Sequence, residues 1–244
     1  MREHSEPVLL GGLVVAMLVF VAFAWFNQPK PAEYVPFTPA AAATPTPTPT
    51  PGPLSVVFIG DSLTGGTASN SGAGALWPSI LEAKAGFVDT LLTVGDAGYV
   101  TEDTATPGST LGTAADDVPV TANVVVFFGG PFDTGASSEA ITAAAIAAFA
   151  KVVSVAPSAS VLVIGPVSLD SSASAALIRT RDAVSSAAAQ TGAQFVDPIA
   201  AGWFATGTDG LIAADGVHLT DAGENYLAAQ IEPLLAPLLT RTAG

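Results

Sequence analysis

A serine at the end of a buried strand is the first position in this chain that invites chemistry. Val56-Val57-Phe58-Ile59 is apolar and mostly β-branched, and it runs into Gly60-Asp61-Ser62-Leu63. The apolar run reads as a strand, and the turn exposes Ser62 at its C-terminal end, where open α/β sheets carry reactive groups. A serine hydroxyl is a weak nucleophile at its free pKa. Ser62 therefore needs a base and a set of donors for a developing oxyanion. The chain holds two histidines, His4 and His218, and only His218 lies in the globular part, within Asp215-Gly216-Val217-His218. Histidine titrates in the range where it can take a serine proton.

These positions have to be held by something, and the surrounding pattern says what. Candidate strands are Leu54–Ile59, Phe87–Val94, Asn123–Phe128, Ser160–Ile164 and a short Gln194–Val196. Candidate helices are Leu76–Ala85, Glu139–Val155, Ala173–Gln190 and Ala222–Leu239, with Pro157 and Gly192 ending the second and third. Runs such as Val124-Val125-Val126-Phe127-Phe128 do not alternate with polar residues, as expected of strands buried on both faces. Five such strands with crossover helices predict a three-layer α/β fold with a mainly parallel sheet. Polar or glycine residues break the pattern at Gly60-Asp61-Ser62, at Gly95-Asp96-Ala97-Gly98-Tyr99, at Gly129-Gly130-Pro131-Phe132-Asp133 and at Asp215–His218. The first three follow strands and fall at one edge of one sheet, where a shared site would form.

The chain resembles the SGNH (GDSL) hydrolase family from about Leu54 to Leu239. Gly60-Asp61-Ser62-Leu63 is similar to the block that carries the family's nucleophile. Asp215-x-x-His218 is similar to the block that carries its acid and base. Gly95-x-x-Gly98 is similar to the block whose later glycine gives a backbone N–H to the oxyanion. The resemblance implies a flavodoxin-like α/β/α fold and a serine hydrolase acting on esters. Its implied residues are Ser62 as nucleophile, His218 as base and Asp215 orienting it, with the N–H groups of Ser62 and Gly98 as the oxyanion hole. In the third block, Gly130-Pro131-Phe132-Asp133 departs from the family's Gly-x-Asn-Asp, so phenylalanine stands where an asparagine donor is expected. Loss of one such donor typically costs about 10²–10³ in rate. Either two backbone donors suffice, or another group such as Asn70 substitutes, or the domain is a poor enzyme.

Plainer roles exist for each residue. Ser62 suits a helix N-cap, and Asp215 and Gly98 suit turns. Asp61 is expected to support its turn, and Trp77, Tyr99 and Phe132 to line core or pocket. Asp116-Asp117 and Asp209 could attract a hard cation, but their spacing supports no metal site, and no cofactor is implied.

Composition narrows the partners. The 244 residues carry 7 Lys+Arg against 21 Asp+Glu, a formal net charge of -14. That balance argues against nucleic acids and anionic lipid surfaces as partners, because both need basic patches. There are no cysteines, hence no disulfides or thiolate metal sites.

The N-terminal part reads differently. Val8 to Phe26 is apolar and uncharged, long enough for a bilayer core of roughly 30 Å. It predicts an uncleaved signal anchor over residues 1–27. A cleaved signal, with Ala22-Phe23-Ala24 as the site, and a buried core helix are the alternatives. Residues 28–53, with Thr44-Pro45-Thr46-Pro47-Thr48-Pro49, predict an extended Pro/Thr linker, and 54–244 the hydrolase domain. The expected protein is thus a membrane-anchored esterase facing outward and acting on O-acyl groups of envelope polysaccharide or lipid. The alternative is a weak or inactive domain that binds an envelope glycan or partner protein.

Overall fold

The computed structural model describes residues 6–28, 52–129, 131–170 and 172–242. Nearly all of the expected linker, and Gly130, lie outside the described residues. The chain divides into two units, Met1–Pro49 and Thr50–Gly244. The first contains helix α1, Glu6–Phe26.

The second unit is built on five strands: β1 Ser55–Gly60, β2 Val88–Thr93, β3 Val124–Phe128, β4 Ser160–Ile164 and β5 Gln194–Val196. All pairings are parallel, in the order β2-β1-β3-β4-β5. Two short helices, α2 Ser62–Gly65 and α4 Leu111–Ala114, lie in loops. The longer helices are α3 Trp77–Ala85, α5 Ser138–Val155, α6 Ala175–Thr191 and α7 Asp221–Thr242. Their ends follow local chemistry. Ser137 and Ser174 cap α5 and α6 by accepting from Ala140 and Leu177 N–H, and Gly192 closes α6 at φ 74°.

Strand side chains point alternately to two faces, and each face has its own core. Val57, Ile59, Val125, Phe127 and Val163 pack with Phe149, Val152 and Val184 from α5 and α6. Val56, Phe58, Val126, Phe128 and Ile164 pack with Trp77, Leu81, Leu227 and Ile231 from α3 and α7. This is the expected three-layer arrangement. α5 is apolar and long enough to cross a membrane, but Ile141, Ala145, Phe149 and Val152 are buried against the sheet. The strand order reverses direction at β1, so the loops after β1 and β3 open the crevice where this class of sheet binds ligands.

Candidate active site

Ser62 opens α2 directly after β1. Asp61 caps that helix, its Oδ1 accepting from Leu63 N–H at 2.9 Å. This is the supporting role expected of Asp61. Gly60 has to be small here, since a Cβ would run into Thr64 and the Phe128 carbonyl.

Asp215 and His218 form a closed turn before α7. Asp215 Oδ1 accepts from the N–H groups of Val217 (2.9 Å) and His218 (3.0 Å), and Oδ2 lies 2.9 Å from His218 Nδ1. The bond to the imidazole, helped by those two N–H groups, lowers the Asp215 pKa to about 2. Asp215 is therefore ionised near neutrality and holds the proton on Nδ1, which leaves Nε2 free to act as a base.

Ser62 faces elsewhere. Its Oγ donates to Asp96 Oδ1 at 3.1 Å, and its N–H donates to the Gly95 carbonyl at 2.8 Å. The β1–β2 register, with Gly60 opposite Thr93, brings the loop after β2 beside the serine. The expected oxyanion donors are thus both engaged, because Gly98 N–H donates to the Thr101 carbonyl at 2.8 Å. Asp133 shapes that turn. Fully buried, it accepts from the N–H groups of Tyr99 (2.6 Å), Val100 (3.1 Å) and Thr101 (2.8 Å), and a side chain at Gly98 would collide with its carboxylate. Thr101 Oγ1 donates to the Phe132 carbonyl at 2.9 Å, tying the loops after β2 and β3 together.

A cavity of about 210 Å³ joins these elements, lined by Ser62, Leu63, Phe132, Val167, Leu169 and Leu177 and reached from the histidine turn by Gly216 and Val217. Phe132 is wall rather than donor. Trp77 and Tyr99 are core: Trp77 Nε1 donates to the Leu63 carbonyl, and Tyr99 meets Phe149 edge to face and Phe127 at a tilt.

Asn70, the alternative oxyanion donor, is engaged as the two backbone donors are: its Nδ2 donates to the Leu219 carbonyl and to Glu224 Oε1, both at 3.3 Å. Asp96 and Asp133 were not singled out from sequence. Asp96 stands inside the Gly95-x-x-Gly98 block and Asp133 ends the third block, so their places in those motifs were the available signal. Among the described residues no three His, Cys, Asp or Glu side chains gather as metal ligands, and Asp116 is paired with Lys151.

Residues 58–225 match the GDSL-like lipase/acylhydrolase family. GDSL lipase Rv0518 of Mycobacterium tuberculosis is 32% identical over 239 residues, covering 93% of this chain and 96% of that protein. The fold is shared with the lipase/acylhydrolase from Enterococcus faecalis (TM-score 0.57, 15% identity, covering 75% and 96% of the two chains). It is shared also with Est24, a carbohydrate acetylesterase from Sinorhizobium meliloti (TM-score 0.59, 16% identity, covering 76% and 99%). The chain belongs to the GDSL-like lipase/acylhydrolase family and is a serine ester hydrolase of that class.

Proposed function

We propose that the chain hydrolyses carboxylic esters through Ser62, His218 and Asp215. The observation that carries this reading is the Asp215–His218 pair, set on a turn that shares one cavity with Ser62. Ser62 Oγ attacks the acyl carbon while His218 Nε2 takes its proton. The tetrahedral oxyanion forms, and His218 then protonates the departing alcohol. Water repeats the sequence on the acyl-enzyme and releases the acid. The N–H groups of Ser62 and Gly98 serve the oxyanion once the Gly95–Asp96 peptide rotates away from Ser62 and the 98–101 turn opens.

The cavity favours a short acyl group. At about 210 Å³ it falls below the roughly 300–1,000 Å³ of common ligand pockets, and its walls are largely apolar. The fold shared with a carbohydrate acetylesterase supports an O-acetyl or similarly short O-acyl group on a glycan. We also infer that α1 is a membrane anchor. Its 21 residues span about 30 Å, and Phe20, Trp25 and Phe26 are exposed. The hydrolase then stands outside the membrane on the Pro/Thr linker, facing envelope esters.

A second reading is a weak or inactive domain that binds an envelope glycan or partner. The bond from Ser62 to Asp96, the two occupied amides and Phe132 favour it. A fluorophosphonate probe and p-nitrophenyl acetate, applied to the wild type, Ser62→Ala and Phe132→Asn, separate the two. Labelling and turnover that disappear in Ser62→Ala support the esterase. Inactivity in the wild type, with turnover appearing in Phe132→Asn, supports the binding role.

A further inference from the structure

We propose that Asn70 and Glu224 form a clamp that fixes the His218 turn against the nucleophile turn, which makes both of them positioning residues for the hydrolysis. This rests on the roles given above to Ser62, His218 and Asp215. The histidine turn is rigid within itself. Ala213 N–H donates to the His218 carbonyl at 2.8 Å, Thr220 N–H to Leu211 at 3.0 Å, and Ile212 bridges Leu219. Asp215 and His218 therefore move as one body, and nothing inside that body sets its distance from Ser62.

The bonds that do so come from residues 66–77, the chain that leaves the nucleophile helix. Gly66 N–H donates to the Ser62 carbonyl at 2.9 Å, and Thr67 N–H to Asn70 Oδ1 at 2.9 Å. Across the gap, Asn70 Nδ2 holds the carbonyl of Leu219, the residue after His218, and Glu224 Oε1, each at 3.3 Å. Glu224 Oε2 accepts from Trp77 N–H at 3.0 Å, and Ser71 N–H donates to Asp221 Oδ1 at 3.0 Å. Trp77 closes the circuit by donating Nε1 to the Leu63 carbonyl, one residue past the nucleophile.

Glu224 is a buried carboxylate with no cation beside it. Residues 66–76 carry no titratable side chain. Lys84 of α3 is held by Glu232, and Asp221 on α7 adds like charge. Burial, together with Asp221, raises its pKa to about 7 against the two donated bonds. A group kept in so unfavourable a place, with both oxygens used to join two catalytic loops, is accounted for by that joining.

The test uses the full chain and p-nitrophenyl acetate, with Asn70→Ala, the near-isosteric Glu224→Gln and the double variant. Amide hydrogen exchange is followed by mass spectrometry. Asn70→Ala is expected to lower kcat about tenfold with KM within about twofold, the equivalent of one displaced hydrogen-bonded contact. Exchange over residues 211–220 should quicken while α5 and α6 keep wild-type protection. Glu224→Gln should do the same, and the double variant should be no worse than either single, because the two act as a unit. Wild-type kcat in both single variants, or unchanged exchange over 211–220, overturns the clamp. Ser62→Ala, run alongside, overturns the hydrolytic reading if it keeps wild-type turnover, and the exchange result then still decides the clamp.

Discussion

Under the proposed mechanism Ser62 has two competing acceptors, Asp96 and His218. Its Oγ donates to Asp96, while His218 is paired with Asp215. Removing a competing bond worth about 1 kcal/mol should speed attack about fivefold. Asp96→Ala is thus expected to raise kcat/KM on p-nitrophenyl acetate about fivefold; an equal value would contradict the competition, and a lower one would show that Asp96 helps catalysis. The Asp215 pKa is lowered to about 2 by its bonds to the imidazole and to two backbone N–H groups, so the carboxylate is ionised near neutrality and orients the ring through Nδ1. Asp215→Asn should leave the turn in place through its remaining oxygen and lower kcat by about 10²–10⁴, measured on the same ester. Ser62, Asp215, His218 and Phe132 stand out as candidates in the sequence because residue type and short spacing are local signals. Asp96 does not, because its role depends on which strand lies beside β1, and local pattern does not carry that.

At the scale of elements, the four long helices and five strands of the second unit were legible to within two or three residues. Apolar runs, caps and glycine stops are local signals, as Ser160–Ile164 and Gln194–Val196 show. The four-residue helices α2 and α4 lack the length for a periodic signal, and α7 continues to Thr242 through Pro233 and Pro237, past its expected end at Leu239. The loops also carry stability. Asp133 satisfies three backbone N–H groups from a fully buried position, so Asp133→Ala orphans them and should cost at least about 3 kcal/mol in urea unfolding. Glu224 adds a pH dependence of definite sign. Its pKa is raised from 4.5 to about 7 on folding, so the folded state prefers the proton. Stability is fully present below about pH 4.5 and falls as pH rises through 7, by about 3 kcal/mol for a shift of that size. The wild type should therefore lose more stability between pH 5 and pH 8 than Glu224→Gln does. Parallel slopes in the two would contradict this.

At the scale of the whole molecule, the strand order explains why Ser62 lies beside Asp96 and shares a cavity with Phe132. With β1 between β2 and β3, the loop after β2 lies against Ser62, while the segments after β1, β3 and β4 line one cavity together with Gly216 and Val217 from the loop before α7. Parallel class was legible from unbroken apolar runs such as β3, whereas order was not, since the pattern within a strand does not say which strands lie beside it. If α1 is the proposed anchor, the net charge of -14 means that attachment rests on that helix and not on attraction to anionic lipid. Expressed with its N-terminus intact, the protein should sediment with membranes, resist extraction by high salt and dissolve in detergent. A mature chain beginning at Trp25 would instead identify a cleaved signal.

The central claim is that Ser62 is the nucleophile of a working ester hydrolase, and the most direct measurement is intact-mass and peptide mapping after treatment with a fluorophosphonate probe. The account predicts one adduct per chain, located on Ser62, absent from Ser62→Ala and strongly slowed in His218→Ala. An adduct on any other serine, or equal labelling of Ser62→Ala, would contradict it.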